Sequence, residues 1–258
     1  VNLVFGTEMY GAKNWIYIGS FSFQPSELVK LCFIYVGAST MDRIVTKRNL
    51  ILFIIYSAAV CGCLALMNDF GTALIFFVAF LVIAFLRSGS FATVALACAA
   101  TGFAGVLAVR FRPHILKRFA TWGHAWDYAL SSGYQQTRAM MCIASGGLLG
   151  LGAGNGWLKY VAASDTDLVF AFVSEEWGLI MAVLMILGVF VVRSAKVGRS
   201  SFYTIGACAA VSILVIQTIL NVFGTMDLLP LTGVTFPFVS NGGSSMLSSW
   251  GLIAFIKA

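Results

Sequence analysis

The sequence predicts an all-α, polytopic integral membrane protein, and three observations carry that prediction. Apolar residues make up 60% of the 258-residue chain and charged residues only 10%, where a soluble domain carries about 25% charged. Apolar runs close to the twenty residues a bilayer requires recur along the chain. Between them lie short connections with basic clusters, the charge bias that orients membrane helices.

The first 22 residues are aromatic and glycine-bearing, with Gly11-Ala12-Lys13-Asn14-Trp15-Ile16-Tyr17-Ile18-Gly19 at their centre. They are too polar and interrupted to span, and are expected to form an interfacial loop. Spans follow at about 24–41, 49–67, 70–86, 90–109, 168–192, 201–224 and 240–256, about seven crossings by length. Alternation of the seven places Arg43, Lys47 and Arg48, then Arg87, then Arg193, Lys196 and Arg199, and finally Lys257 on one side. The positive-inside rule makes that side cytoplasmic. The chain opens on Val1 without a signal-peptide pattern, so it is expected to be part of a longer protein, organised as a single membrane domain over 1–258.

Residues 110–167 then form a long extracellular connection. It carries Arg110, Arg112, Lys117, Arg118, Arg138 and Lys159 against Asp127, Asp165 and Asp167. Two explanations stand for this basic excess: contact with anionic lipid headgroups, or an extracellular site for an anionic substrate. Within it, Gly146 to Gly156 holds six glycines. It follows no strand, which excludes a dinucleotide or P-loop reading. A re-entrant or interfacial turn fits, with glycines supplying positive φ and close backbone approach.

Four carboxylates, Asp165, Asp167, Glu175 and Glu176, cluster at the start of the apolar run that ends near Val192. A charge at the centre of a membrane helix costs about 2.5–3.5 kcal/mol on insertion scales, so such residues mark wet or polar interiors. At about 100° per residue, Ser174 falls under Asp167 and Glu176 points away. Asp167 is thus the candidate for chemistry and Glu176 a structural partner. Pro25 fits the first turn of a span, and Glu27 precedes Lys30 at a spacing that pairs on one face. Asn68-Asp69 reads as a helix cap. Leu229 to Ser245 is a hairpin rich in Pro, Gly and Ser, suited to close packing or a substrate-lined turn. His114 and His124 lack a second ligand at metal spacing. The six cysteines read as small core residues without the spacing of a zinc or redox site.

Together, Gln24-Pro25-Ser26-Glu27, Asp69-Phe70-Gly71-Thr72-Ala73, Gly133-Tyr134-Gln135, Ser145-Gly146-Gly147, Thr166-Asp167-Leu168-Val169-Phe170, Glu175-Glu176-Trp177-Gly178 and Pro237 to Ser245 resemble the SEDS (shape, elongation, division and sporulation) family of RodA, FtsW and SpoVE. The motifs run in the family's order through the whole chain. The resemblance implies the last seven of ten spans. It also implies polymerisation of lipid II, the undecaprenyl-diphosphate-linked disaccharide peptide, at the outer face of the bacterial cytoplasmic membrane, for shape, division or sporulation. A class B penicillin-binding protein is the implied partner and a divalent cation, Mg or Mn, the implied cofactor. No nucleic acid is implied.

The family's essential acid carries over onto Asp167, and its cavity pair onto Glu27 and Lys30. The expected substrate contacts further include Lys13, Arg112, Lys117, Arg118, Arg138, Gln135 and Ser240, with Asp165 and Asp167 as the pair able to share a metal ion. Departures from the family pattern fall at Asn14 (usually Arg), Asp165 (usually His), Arg138 (usually Gln) and Asn241 (usually Tyr), which suggests a divergent branch. Two rival functions are a flippase for the lipid-linked precursor and a non-catalytic scaffold for the penicillin-binding partner. Intramembrane charge also marks transport pathways, while no inverted repeat is visible.

Overall fold

The computed structural model describes residues 7–9, 12–18, 21–42, 47–111, 119–191 and 201–257. Eight α-helices are described: α1 Pro25–Asp42, α2 Lys47–Leu66, α3 Phe70–Ser88, α4 Phe91–Phe111, α5 Tyr134–Gly146, α6 Val169–Val191, α7 Ser201–Thr225 and α8 Gly243–Lys257. A helix lies in every stretch expected to span. Four of them, over Arg48–Leu66, Phe70–Ser88, Val169–Gly188 and Ser201–Thr225, are long and apolar enough to cross a membrane. The others fall short for stated reasons. Helix α1 carries Glu27, Lys30 and Asp42, α8 has only 15 residues, and the described apolar part of α4 is Phe91–Gly102.

The chain divides into two compact units. The first comprises Val1–Val94, Val192–Ile216 and Gly242–Ala258. Its N-terminal segment corrects the expectation of an interfacial loop. Strands β1 Thr7–Met9, β2 Ala12–Ile18 and β3 Phe21–Phe23 form an antiparallel sheet in the order β1-β2-β3, with Trp15 opposite Thr7 and Ile18 opposite Phe21. The residues responsible are the β-branched and aromatic run Trp15-Ile16-Tyr17-Ile18, which favours an extended strand.

The core of this unit centres on Phe33, which is fully buried. Its ring lies 5.6 Å from Phe53, 5.7 Å from Tyr56 and 5.1 Å edge-on from Phe76, joining α1 to α2 and α3. Gly251 of α8 faces Leu31, where a Cβ would approach Leu31 Cδ1 to 2.7 Å, so the small residue sets how closely α8 packs on α1. Helix α3 starts at the expected cap: the Asp69 side chain accepts the Thr72 N–H at 3.1 Å. Along α2, Ile51, Leu52, Ile54 and Ile55 are exposed, an apolar surface suited to hydrocarbon.

The second unit comprises Ala95–Val191 and Gln217–Asn241. Helix α5 and a 3₁₀ turn at Leu158–Tyr160 appear where only a loop region was expected. The reason lies in the buried face of α5: Gln136, Thr137, Ala139, Cys142 and Gly146 are polar or small, so no apolar stripe betrays the helix. A small core gathers Ala139, Cys142, Leu158, Val161, Leu168 and Ala171. All six cysteines are free. Only Cys142 is buried, and Cys32, Cys63, Cys98 and Cys208 lie exposed on helix surfaces rather than in a core.

Candidate functional site

Helix α6 is broken at Gly178, whose backbone (φ 85°, ψ 164°) leaves the helical region. The break exposes carbonyls of Glu175 and Glu176 and amides of Leu179 and Ile180 that a continuous helix would pair internally. The glycine-rich stretch supplies the missing partners. Leu151 and Gly152 donate N–H groups to the Glu175 and Glu176 carbonyls at 2.9 and 3.0 Å. In return, the Gly147 and Leu148 carbonyls accept the Leu179 and Ile180 N–H groups at 2.9 and 3.4 Å. Such crossing requires glycine. A Cβ at Gly150 would collide with the Glu176 carbonyl and one at Gly178 with the Leu148 carbonyl, and Gly150 and Gly152 have positive φ. The expected turn with close backbone approach is therefore present.

Glu175 is a structural carboxylate. Its Oε1 accepts the Trp157 N–H at 2.8 Å and its Oε2 the Leu158 N–H at 2.9 Å, satisfying the start of the 3₁₀ turn. Burial is also the main reason that the thiol of Cys142, on the adjacent α5, is pushed up to about 12, and the Glu175 carboxylate adds to the shift.

The chain then enters a tight turn whose pivot is Ala163, a non-glycine residue at φ 61°. Its carbonyl accepts N–H groups from Thr166, Asp167 and Leu168 at 3.3, 3.0 and 3.2 Å. Residues in this region are uncommon without glycine and persist where the surroundings over-determine them. Gln135 on α5 contributes, donating its Nε2–H to the Ala162 carbonyl at 3.0 Å. Asp167 emerges half-buried two residues before α6, where the helix dipole favours a carboxylate. Opposite it stands Gly233, with φ 70°; a Cβ there would lie 3.2 Å from Asp167 Oδ2.

Asp165 is held by Asn241, which donates its backbone N–H to the Asp165 carbonyl at 2.8 Å and its Nδ2–H to Asp165 Oδ2 at 3.0 Å. The two departures at 165 and 241 are thus hydrogen-bonding partners. Ser240 is 3% exposed; its hydroxyl donates to the Thr166 carbonyl at 2.6 Å and accepts the Phe236 N–H at 2.7 Å. With both bonds spent on backbone, Ser240 and Gln135 shape the loop that carries the acid. Arg138 stacks its guanidinium 5.2 Å over the Tyr134 ring and donates to Met141 Sδ at 3.6 Å.

Glu27 and Lys30 belong to the other unit. They form a buried ion pair, with Lys30 Nζ 2.8 Å from each Glu27 carboxylate oxygen and the two residues 4% and 1% exposed. Asn14 donates from Nδ2 to Asp69 Oδ2 at 2.8 Å there. Arg112, Lys117 and Arg118, like His114, lie outside the described residues, as does the side chain of Lys13. Among the described residues no group of three or more His, Cys, Asp or Glu side chains gathers at a metal site.

Two polar anchors of this unit were not legible beforehand. Asn221, 2% exposed near the end of α7, donates Nδ2–H to the carbonyls of Asp167 and Val234 at 2.8 and 2.9 Å. Asp227 adopts φ 59° and accepts from Gly123 N, Ala125 N and Gln136 Nε2, each at 3.1 Å. An amide inside an apolar run was the available signal for the first. A lone acid directly after a span, of a type that tolerates left-handed backbone, was the signal for the second.

The family model described as a cell cycle protein, covering FtsW, RodA and SpoVE, matches residues 1–258. The chain is 33% identical to the probable peptidoglycan glycosyltransferase FtsW of Bacillus subtilis, over 98% of this chain and 69% of that protein. It is 30% identical to the peptidoglycan glycosyltransferase RodA of Mycobacterium bovis, over 97% of this chain but 58% of that one. In fold it matches a chain of a peptidoglycan synthase complex with a TM-score of 0.74 at 24% identity, over 99% of this chain and 76% of the other. The chain is a multi-pass membrane protein and belongs to the FtsW, RodA and SpoVE family of cell cycle proteins.

Proposed function

We propose that this chain is a peptidoglycan glycosyltransferase that polymerises lipid II into glycan strands at the outer face of the bacterial cytoplasmic membrane, beside a class B penicillin-binding protein. The observation that carries the reading is Asp167, a half-buried carboxylate at the N-terminus of α6 on a loop held by bonds to its backbone. Relatives bearing the activity in their names align with nearly the whole chain.

In the reaction, an acceptor sugar hydroxyl forms a bond to the anomeric carbon of the donor while the bond from that carbon to the lipid diphosphate breaks. Asp167 takes the hydroxyl proton, and the diphosphate leaves with the bonding electrons. An inverting displacement of this kind needs one base and no nucleophilic carboxylate. Its developing negative charge is met by cations: Arg138 from α5, joined in this reading by Lys13, Arg112, Lys117 and Arg118. Ser240 and Gln135 act through the loop backbone. Glu27 and Lys30 enter this reading as the cavity pair that the family resemblance implies, held to each other as a buried ion pair.

Asp165 and Asp167, two residues apart in sequence, would be the carboxylates to hold a magnesium-type ion, with water and substrate phosphate as its remaining ligands. Such an ion would neutralise charge on the leaving diphosphate.

The test is product formation from lipid II by the full-length protein with its penicillin-binding partner. Glycan polymer that disappears on Asp167→Asn supports the proposal. Transbilayer movement of the precursor without polymer would establish a flippase, and stimulation of the partner without either activity a scaffold.

A further inference from the structure

Three successive carbonyls in front of α6 are each taken by a donor from the 221–241 stretch. Asp165 O accepts from Asn241 N at 2.8 Å, Thr166 O from Ser240 Oγ at 2.6 Å, and Asp167 O from Asn221 Nδ2 at 2.8 Å. The last two grip the peptide units on either side of the Asp167 Cα, and of these donors Asn221 is the one that also bonds the segment next to Gly233. From this we infer that Asn221 is the positioning residue that fixes Asp167 for proton abstraction, an inference that rests on the proposed glycosyltransferase reading.

The amide of Asn221 spends both N–H groups on carbonyls of two separate segments, Asp167 and Val234. Val234 follows Gly233, the residue whose missing side chain leaves room for Asp167 Oδ2. One side chain therefore fixes the acid's peptide unit against the extended segment beside its carboxylate. Two carbonyl acceptors also fix the sense of the amide, leaving Oδ1 as the atom that cannot bond to either.

That Oδ1 is buried and has no donor among the described residues. A buried orphan acceptor lowers stability, and an apolar residue of the same shape would avoid it. The amide is thus explained by the geometry it imposes on Asp167 rather than by a net gain in stability. Local rules broken in this way are expected where function sets the requirement. Geometry is also where rate is sensitive: a displacement of about 1 Å at a reacting group can cost about 10²-fold.

The experiment uses the full-length protein in lipid nanodiscs with its penicillin-binding partner, comparing wild type, Asn221→Leu and Asn221→Asp. The control is Ser212→Ala, which removes a hydroxyl that among the described residues bonds the Ala209 carbonyl of its own helix. With lipid II, kcat is expected to fall about 10²-fold for both Asn221 variants at unchanged KM, as loss of orientation requires. Backbone amide exchange over 163–168 should accelerate about 10-fold while 134–146 stays as in wild type, a local opening rather than a global one. Normal kcat, or unchanged exchange over 163–168 in both variants, overturns the inference. A wild-type protein that forms no polymer overturns the glycosyltransferase reading instead, and the exchange comparison then still decides whether Asn221 holds the loop. If the leucine variant does not fold, the near-isosteric aspartate variant supplies both readouts.

Discussion

Acids in the two units are satisfied in different ways. In the first, carboxylates meet side chains: Glu27 binds Lys30, and Asp69 binds Asn14 while capping α3. In the second, backbone amides predominate: Glu175 holds those of Trp157 and Leu158, and Asp227 those of Gly123 and Ala125 beside the Gln136 side chain, while Asp165 takes the Asn241 side chain. The difference follows from what each must stabilise. Helices satisfy their own backbone, so a charge among them needs only an opposite charge. Irregular chain at a membrane surface leaves many amides open, and carboxylates are the strongest acceptors to organise them. A site built on such chain has its acid placed by backbone geometry.

The comparison is most severely strained by Glu27→Gln, which leaves Lys30 buried without its counter-charge. Removing one partner of a buried pair costs about 3–5 kcal/mol, so the variant is expected to show a large fall in Tm or in membrane yield. Wild-type Tm would contradict the pairing. Restoring a matched apolar pair with Glu27→Gln replaced by Glu27→Leu together with Lys30→Met should recover most of the loss.

A smaller effect is expected in the second unit. Asp227→Asn keeps the size but weakens three bonds, and a charged hydrogen bond contributes about 1.5–3 kcal/mol. Proteolysis within 119–133 should increase before any change in the first unit. Simultaneous loosening of both units would contradict backbone organisation by Asp227.

Cys142 gives the smallest and most specific signal. Its thiol is raised from 9.0 to about 12, so the folded protein keeps a proton that the unfolded chain releases. Stability from this site is therefore fully present below pH 9 and declines as pH rises from about 9 toward 12. Cys142→Ala should lack that component of the alkaline decline. The native thiol should also resist alkylation at pH 8, where exposed cysteines react; rapid labelling of Cys142 in folded protein would contradict its burial beside Glu175.

The helical architecture was legible because apolar runs of bilayer length need no tertiary information, and each expected span holds a helix. Asp69 as a cap and the glycine turn were legible for similarly local reasons. Helix α5 was not, since its buried side is Gln136, Thr137 and small residues. The N-terminal sheet was masked by the glycines and polar residues that interrupt the first 22 residues, although Trp15 to Ile18 carried a strand signal. At the site, Asp167 stood out by its charge. Its supports did not, because a bond from Asn221, Ser240 or Asn241 to a carbonyl over 50 positions away leaves no trace in local pattern. The role of Glu175 was hidden because the break at Gly178 and the crossing loop bring its carboxylate to the amides of Trp157 and Leu158.

The central claim is that Asp167 is the base of a glycan polymerase. Single-turnover polymerisation of lipid II by wild type and Asp167→Asn, each with the penicillin-binding partner and each checked for wild-type Tm, tests it most directly. Loss of a general base predicts a fall of about 10²–10⁴ in rate with the fold intact. Polymer formed by the asparagine variant at the wild-type rate would contradict the assignment.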